Sequence, residues 1–482
     1  MGTYKHGIYI SEVPTGLVPM TQTDAALIVA FGTAPVHLAT NPVADNTPVL
    51  CYTYQEAVQQ LGYSDDWEKY SLCEVMFTHF ALYNMAPIVL VPCMDTSKHV
   101  QHQKNIAVEL TDGVGKINDA VFVDTLALST QESTEADLVK DTDYTAAYND
   151  DGEVVITAIE GGKMASVTTI YAAYKALDTT KVTADDIIGG VSTTTGKNSG
   201  LELLSEIFPR FGLVPGIVIA PGWSHNPTVA SVMKAKVANI NTVFKAICLC
   251  DVDDSVTKYI NVSEWKNKNN FVGELQYVVW PRVKNGDKKY HLSSHVASLM
   301  NQVDAANKDI PYVSPSNKSL QIDGACTVDG DEIFLGIDSA AYLNGQGIVT
   351  ALNFIGGWRL YGNRTGAYPS STDPKDAFIN IRRMFNWVGN TLVTTFWSKI
   401  DDATNKRLIR SVVNSANIWF NGLTAIGALL GGRVEFRSDE NAETDLLDGI
   451  VKFHVYMAPP PPAREIDFIQ EYDVDYLSNL FA

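Results

Sequence analysis

Cysteine is scarce in this sequence, and what little there is does not pair. Six occur in 482 residues: Cys51, Cys73, Cys93, Cys248, Cys250 and Cys326. None forms a C-x-x-C unit and most sit in apolar text, which predicts reduced, buried thiols and excludes a disulfide scaffold. Cys248 and Cys250 would share a face on a strand, but no His or Cys at matching spacing completes a metal set. Long apolar runs are also missing, since none approaches the ~20 residues needed to span a bilayer. The opening "MGTYKHGIYI" has no apolar signal-peptide core, and His6 stands where myristoylation requires Ser or Thr. No membrane partner and no export by the usual route are expected. Basic charge is in deficit too, with 36 Lys and Arg against 55 Asp and Glu and a net charge of −19. Such a surface repels phosphate, so no direct nucleic-acid partner is expected.

Catalytic signatures are absent as well. "PGWSHNP" (221–227) sets Ser224 beside His225, yet adjacent residues do not readily form a nucleophile–base pair and no G-x-S-x-G elbow surrounds the serine. A hydrolase using Ser224 is the distant alternative to a loop or helix-start serine. "GGWRLYGNRTG" (356–366) matches neither the P-loop nor G-x-G-x-x-G, and "GALLGGR" (427–433) reads as a helix end before a strand. His99 and His102 have helical spacing but read as surface residues. Asp253-Asp254 and Asp401-Asp402 read as turn or helix-cap acids. No catalytic residue, cofactor or metal is expected.

What is present suits a large folded chain. Hydrophobic residues make up 46% of it, and at roughly 100–200 residues per domain the length implies two to four domains. "AALIVAFGTAP" (25–35) and "APIVLVPC" (86–93) are continuous apolar runs, as in strands buried on both faces. Residues 65–85 read as helix. From about 100 to 195 short strands such as "EVVITAI" alternate with "TDGVG", "NDDGE" and "EGGK" turns, the pattern of a small all-β unit. The α/β text then resumes through "VPGIVIAPG", a helix at 229–242, "FKAICLCDV", "ELQYVVWPRV" and a helix near 293–306. Asp373-Pro374 starts a helix carrying Phe378, Ile381, Phe385, Val388 and Leu392. A further helix after Asp402 has Leu408, Ile409, Val412, Val413, Ala416, Trp419 and Phe420 on one face. Lys406, Arg407 and Arg410 lie on the other. "RVEFRSDE" and "GIVKFHVYM" read as strands. The fold class is therefore α/β (α+β multidomain): an α/β sheet core, an inserted small all-β domain, a C-terminal α/β domain and extended terminal arms.

The ends are the unusual part. "GIYISEVP" (7–14) reads as a short strand, with Gly16 and Pro19 as its flexible exit. Near the other end, four prolines (Pro459, Pro460, Pro461 and Pro462) separate "GIVKFHVYM" from strand-like "REIDFIQEYDV". A proline run holds the chain extended at about 3.1 Å per residue. An isolated strand cannot satisfy its own backbone groups, so each end joins either an edge of its own sheet or a neighbour's. The last segment is acidic (Glu465, Asp467, Glu471, Asp473, Asp475), while Arg382, Arg383, Lys406, Arg407 and Arg410 form a candidate basic stripe.

These stretches resemble the tail sheath proteins of contractile-tailed bacteriophages and prophages. The likeness runs through "HGIYISEVPTG", "FGLVPGIVIAPGWSHNPTVA" and "PYVSPSNKSL". It is densest in "YLNGQGIVTALNFIGGWRLYGNRTGAYP", "DAFINIRRMFNWVGN", "SANIWFNGLTAIGALLGGRVEF" and "PPAREIDFIQEYDVDYL". The resemblance implies a homo-oligomer of six-fold rings stacked helically around an inner tail tube protein, with baseplate and tail terminator proteins at its ends. On triggering, such a sheath shortens and drives the tube through the host envelope, using energy stored at assembly. It implies a virion-tail location after assembly in the host cytoplasm. It also implies a layout of N-terminal arm (1–22), α/β domain (23–98 plus 196–345), outward-facing inserted β domain (99–195), tube-facing sheath domain (346–457) and C-terminal arm (458–482). The arms would add strands to neighbours through Ile8, Tyr9, Ile10, Val13, Ile466, Phe468, Ile469, Tyr472 and Val474. The basic stripe becomes the candidate tube-facing or inter-subunit charge set. The same role in a bacteriocin-like or injection particle is the nearer alternative, and an exported adhesion protein the farther one.

Overall fold

The structure is a computed structural model that describes residues 18–132 and 135–481. The strand read at 7–14, with Ile8, Tyr9, Ile10 and Val13, and the hinge Gly16 lie outside the described residues. The fold mixes helices and sheets and is multidomain. Its centre is an eight-stranded sheet in the order Trp358–Tyr361, Ile348–Asn353, Gln276–Val279, Ile247–Asp251, Ile217–Ile219, Ile28–Gly32, Ile88–Pro92, Val49–Cys51. The interior pairs are parallel, and the pairs at both edges are antiparallel. Every residue of Ile28–Gly32 and Ile88–Pro92 is buried, as continuous apolar text requires of strands covered on both faces. Helices Pro227–Ala238 and Leu292–Ala305 pack against the sheet. All six cysteines are free and buried.

Two three-stranded antiparallel sheets follow in the 100–177 region. One joins Val100–Glu109, Thr169–Leu177 and Ala127–Ser129, and the other joins Val114–Ile117, Val154–Ala158 and Tyr144–Tyr148. They enclose a separate apolar cluster that includes Val121, Leu128, Val154, Ile156 and Ile170. His37 sits where this unit meets the main body, with ring contacts to Tyr70, Phe122 and Tyr148 at 6.1–6.2 Å.

Several sequence expectations change. "ELQYVVWPRV" is two strands, Gln276–Val279 and Arg282–Asn285, the second belonging to a separate three-stranded sheet. Pro281 has no N–H with which to continue a ladder. Asp373 does cap a helix, its carboxylate accepting from the Lys375 N–H at 3.0 Å. That helix ends at Ala377, and Phe378 is extended before a second helix, Ile379–Phe396, begins. Phe378 instead lies 3.8 Å from the Arg364 guanidinium, a cation–π contact that holds it outside the helix. Ile381 and Val388 are buried on the second helix as expected, together with Ile379, Met384 and Trp387, while Phe385 and Leu392 are only half-buried. His99 is buried rather than surface-exposed: its Nδ1 accepts from the Asp95 N–H at 2.9 Å and its Nε2 lies 3.3 Å from Asp186. Asp254 is not a cap but grips Arg282 with both carboxylate oxygens.

Buried histidines make the fold acid-sensitive. Burial pushes His37 and His79 down to about 4 and His295 to about 3. Each is neutral in the fold, so its contribution is complete above the unfolded value near 6.5 and is lost as pH falls toward 4. His291 runs the other way. Burial lowers its pKa, but the Glu74 carboxylate at 2.8 Å outweighs this and raises it, so its contribution fades as pH rises. At 1.36 kcal/mol per unit, His37 alone is worth about 2–3 kcal/mol between pH 7 and 4.5. His37→Phe, which keeps the ring packing, is expected to flatten the acid limb by that amount in urea midpoints measured at both pH values.

Candidate inter-subunit docking site

The third apolar cluster is built by the two long helices of the last third. Helix Ile379–Phe396 contributes Met384, Trp387 and Val388, while Lys406–Ala425 contributes Ala416, Trp419, Phe420 and Leu423. The Trp387 and Trp419 rings meet at 5.4 Å. The second helix starts three residues later than Asp402 suggests, because Asn405 caps it by accepting from the Arg407 and Leu408 N–H groups, both at 3.0 Å. Strands Gly431–Glu435 and His454–Ala458 pack on it as a two-stranded antiparallel sheet, with Val434 opposite Val455. The expected strand 449–457 is thus shorter, and its start is irregular because Asn441 binds the Lys452 backbone at both N–H and C=O. Among the described residues these two strands pair only with each other. Beside them is a groove of about 550 Å³ lined by Leu392, Phe396, Ile400, Leu408, Val434, Phe453 and Val455, among others.

Residues 18–25 are fastened along both helices. The Val18 N–H donates to Ser415 Oγ at 2.8 Å, the Thr21 N–H to Thr395 Oγ1 at 3.0 Å, and Trp387 Nε1 to the Thr23 carbonyl at 2.7 Å. Gly216 lets this segment pass, since a Cβ there would stand 2.1 Å from the Ala25 carbonyl oxygen. Pro19, an expected hinge, is exposed between the fastened Val18 and Thr21. Two of the four prolines expected as the other hinge are held against the body. Pro459 is buried, and the Pro460 carbonyl accepts from Asn380 Nδ2 at 3.2 Å. Only Pro461 and Pro462 remain as the exit from the body.

Beyond them the chain forms no strand. Residues 459–473 have no regular structure, and Val474–Phe481 is a short 3₁₀ helix, so Val474 is not a strand residue here. Ile466, Phe468, Ile469 and Tyr472 are 69%, 87%, 95% and 76% exposed. Their alternation is the notable point. At a two-residue period, Ile466, Phe468, Gln470, Tyr472 and Val474 share one face, and Glu465, Asp467, Ile469, Glu471 and Asp473 share the other, so one face is mostly apolar and the other mostly acidic.

The basic stripe is divided. Arg383 is 3% exposed and buried against Asp304, and Arg382 is half-buried against Asp376 at 3.2 Å. Neither is available to a partner, because their helix turns that face into the protein. Lys406, Arg407 and Arg410 are exposed on the first turns of their helix. Ser224 is fully buried: its Oγ donates to Asp251 Oδ2 at 3.1 Å and accepts from the Asp251 N–H at 3.0 Å. It braces a loop and is closed to substrate. No cluster among the described residues has a metal-ligand arrangement, and no helix among them is long and apolar enough to cross a membrane.

No family model matches the chain. It is similar to the tail sheath protein of Burkholderia phage BcepMu, 26% identical over 492 residues that cover 99% of this chain and 98% of that protein. Its fold is similar to that of the PVC sheath complex of an extracellular contractile injection system in the contracted state. The TM-score there is 0.60 with 13% identity, and 99% of each chain is covered. The helical sheath of the anti-feeding prophage in its contracted state is also similar, with TM-score 0.57, 12% identity and coverage of 98% of this chain and 100% of the other. The likeness read in the sequence thus extends over nearly the whole length of both chains.

Proposed function

We infer that this chain is a structural subunit of a contractile tail sheath, polymerising around an inner tube and shortening to drive that tube through a cell envelope. The relatives are structural sheath proteins, and the protein acts by assembly, not by turnover. The observation that carries the proposal is the exposed segment Ile466–Tyr472 next to the proline exit, where Ile466, Phe468, Ile469 and Tyr472 stand in solvent between acidic residues. Such a pattern is stable as a strand only when a sheet covers its apolar face. The pair Gly431–Glu435 and His454–Ala458 of the adjacent subunit offers an edge and, beside it, an apolar groove. Burying Ile466, Phe468 and Tyr472 there is worth about 1.5–3 kcal/mol each.

The domain layout follows the same reading. Residues 99–195 face outward, 346–457 face the tube, and Lys406, Arg407 and Arg410 are the charges presented to it. Baseplate and terminator proteins close the two ends of the stack, in a particle assembled in the host cytoplasm. Contraction needs no bound nucleotide: subunits turn as rigid bodies while the arm linkers absorb the rotation. Negative-stain electron microscopy of the purified chain is expected to show stacked rings or tubes of uniform width. Isolated monomers at high concentration, with and without the tube protein, would overturn the proposal.

A further inference from the structure

Two sets of contacts flank a cleft of about 340 Å³ between the 100–177 unit and the main body. On one side the two chain crossings into the unit are bonded to each other as a strap. The Asp178 N–H donates to the His99 carbonyl at 2.8 Å, and Lys181 Nζ donates to the Val100 carbonyl at 2.6 Å. On the other side is His37, on the short 3₁₀ turn Val36–Leu38 of the body. Its ring meets Tyr70 of the body and Phe122 and Tyr148 of the unit. Tyr148 is fixed from behind, its hydroxyl donating to the Val121 carbonyl at 2.6 Å. Leu38 rests on the turn at Gly152, where a Cβ would stand 3.3 Å from its Cδ1.

His37 is 7% exposed, and its buried Nδ1 meets no partner among the described residues. The charged groups around the cleft are Asp66, Lys69, Asp119, Asp151, Glu153 and Asp178. Most are engaged elsewhere: Asp66 with Lys69 at 2.8 Å, Glu153 with Lys116 at 2.9 Å, Asp119 with the Tyr174 hydroxyl, and Asp178 with Thr180 and Gln101. Lys175 lies over the Phe122 ring at 5.5 Å. Burial keeps the neighbouring Tyr70 and Tyr148 hydroxyls neutral by raising their pKa values. Nothing there offsets a charge on His37, and burial alone sets its pKa, at about 4. His99 on the strap differs, since Asp186 faces it at 3.3 Å and a charge there has a partner. His79 and His295 bond Ser298 and Tyr83, within the main body.

We propose that the 100–177 unit is a hinged module plugged onto the body by His37, and that adding one proton to that imidazole unplugs it while both parts stay folded. The module keeps its own apolar cluster when it leaves, and the strap holds the chain crossings together. Released, the imidazolium meets water and the cleft carboxylates in place of three aromatic rings. The closed form binds the proton more weakly than the open one, so closure is complete above the open value near 6.5 and is lost as pH falls toward 4. Between pH 7 and 4.5 the ratio of open to closed rises about fiftyfold. The device belongs to a single chain and does not depend on the sheath reading.

Spin labels on the dilute full-length chain at Gln59→Cys and Thr145→Cys, exposed positions on the body and the module, test this by pulsed EPR. The six native cysteines are buried and stay unlabelled. One distance at pH 7 and a second, longer one at pH 4.5 are the expected result, with the short distance alone at both pH values in His37→Phe. Amide exchange of the wild-type chain, corrected for the intrinsic rate at each pH, needs no variant. Residues 36–38 and 120–123 should lose about tenfold or more in protection at pH 4.5, while Val154–Ala158 and Ile217–Ile219 keep theirs. A single distance in the wild-type chain at both pH values overturns the proposal, as does equal opening in His37→Phe. Loss of protection in Val154–Ala158 together with the junction overturns it too, because the module then unfolds instead of swinging free.

Discussion

A chain ending at Pro462 is expected to fold, stay soluble and form no tubes. The cut keeps the two prolines that matter to the body: Pro459 stays buried and the Pro460 carbonyl keeps Asn380 Nδ2. It also keeps the Gly431–Glu435 and His454–Ala458 pair, where the Leu430 N–H donates to the Ala458 carbonyl at 2.8 Å. What it removes is almost entirely exposed, so the thermal midpoint should move by less than a few degrees. A change of 1 kcal/mol shifts larger domains by only about 2–4 °C. Assembly should be lost outright, since the deleted side chains would supply several kcal/mol per contact and every subunit makes the contact. Sedimentation velocity and electron microscopy read both outcomes. Normal tubes from this truncation would remove the arm from the mechanism. Cutting earlier, after Met457, tests less well, because it also strips the Pro459 and Pro460 anchors.

Arg383→Ala is expected to lower stability by about 3–5 kcal/mol, the usual effect of removing one partner from a buried ion pair. Arg383 Nη1 donates to Asp304 Oδ1 at 3.1 Å, and Nη2 donates to Asp304 Oδ2 and, at 3.2 Å, to the Ala25 carbonyl. Three distant parts of the chain meet there: helix Leu292–Ala305, helix Ile379–Phe396 and the segment leading into Ile28–Gly32. Without the arginine, Asp304 is an uncompensated charge at 1% exposure. Burial already raises its pKa to about 6, with Arg383 pulling the other way, so the variant's value climbs further. An acid raised in the fold is penalised at pH values above its folded pKa, and the penalty eases as pH falls through that value. The deficit should therefore be largest at pH 8 and shrink toward pH 5, as followed by urea unfolding. Arg383→Met combined with Asp304→Leu should recover much of the loss, because an apolar pair leaves no charge stranded. A deficit that is flat across pH would show that the ion pair is not its source.

Legibility followed the range of the interaction. The runs at 25–35 and 86–93 were readable because a strand buried on both faces needs apolar residues at every position. The text after the prolines read as strand-like, yet residues 459–473 form no regular structure. Asp373 was readable as a cap because a cap bonds within its own turn. The break at Phe378 was not, since Arg364, fourteen residues earlier, holds it out. The charge on Arg383 was plain, but its fate was not, because its partner lies on another helix. Pro459 to Pro462 looked like a single hinge, yet Asn380 claims half of it.

By itself, the chain's order of residues determined the mixed helix-and-sheet architecture, the free, buried cysteines and the proline run ahead of an acidic end. These depend on composition and on contacts a few residues apart. Only the tertiary structure decided which charges stay outside and at which proline the chain leaves the body. They turn on contacts such as Arg383 with Asp304, 79 residues apart, and Asn380 with the Pro460 carbonyl, 80 apart, and no periodicity along the sequence records such meetings.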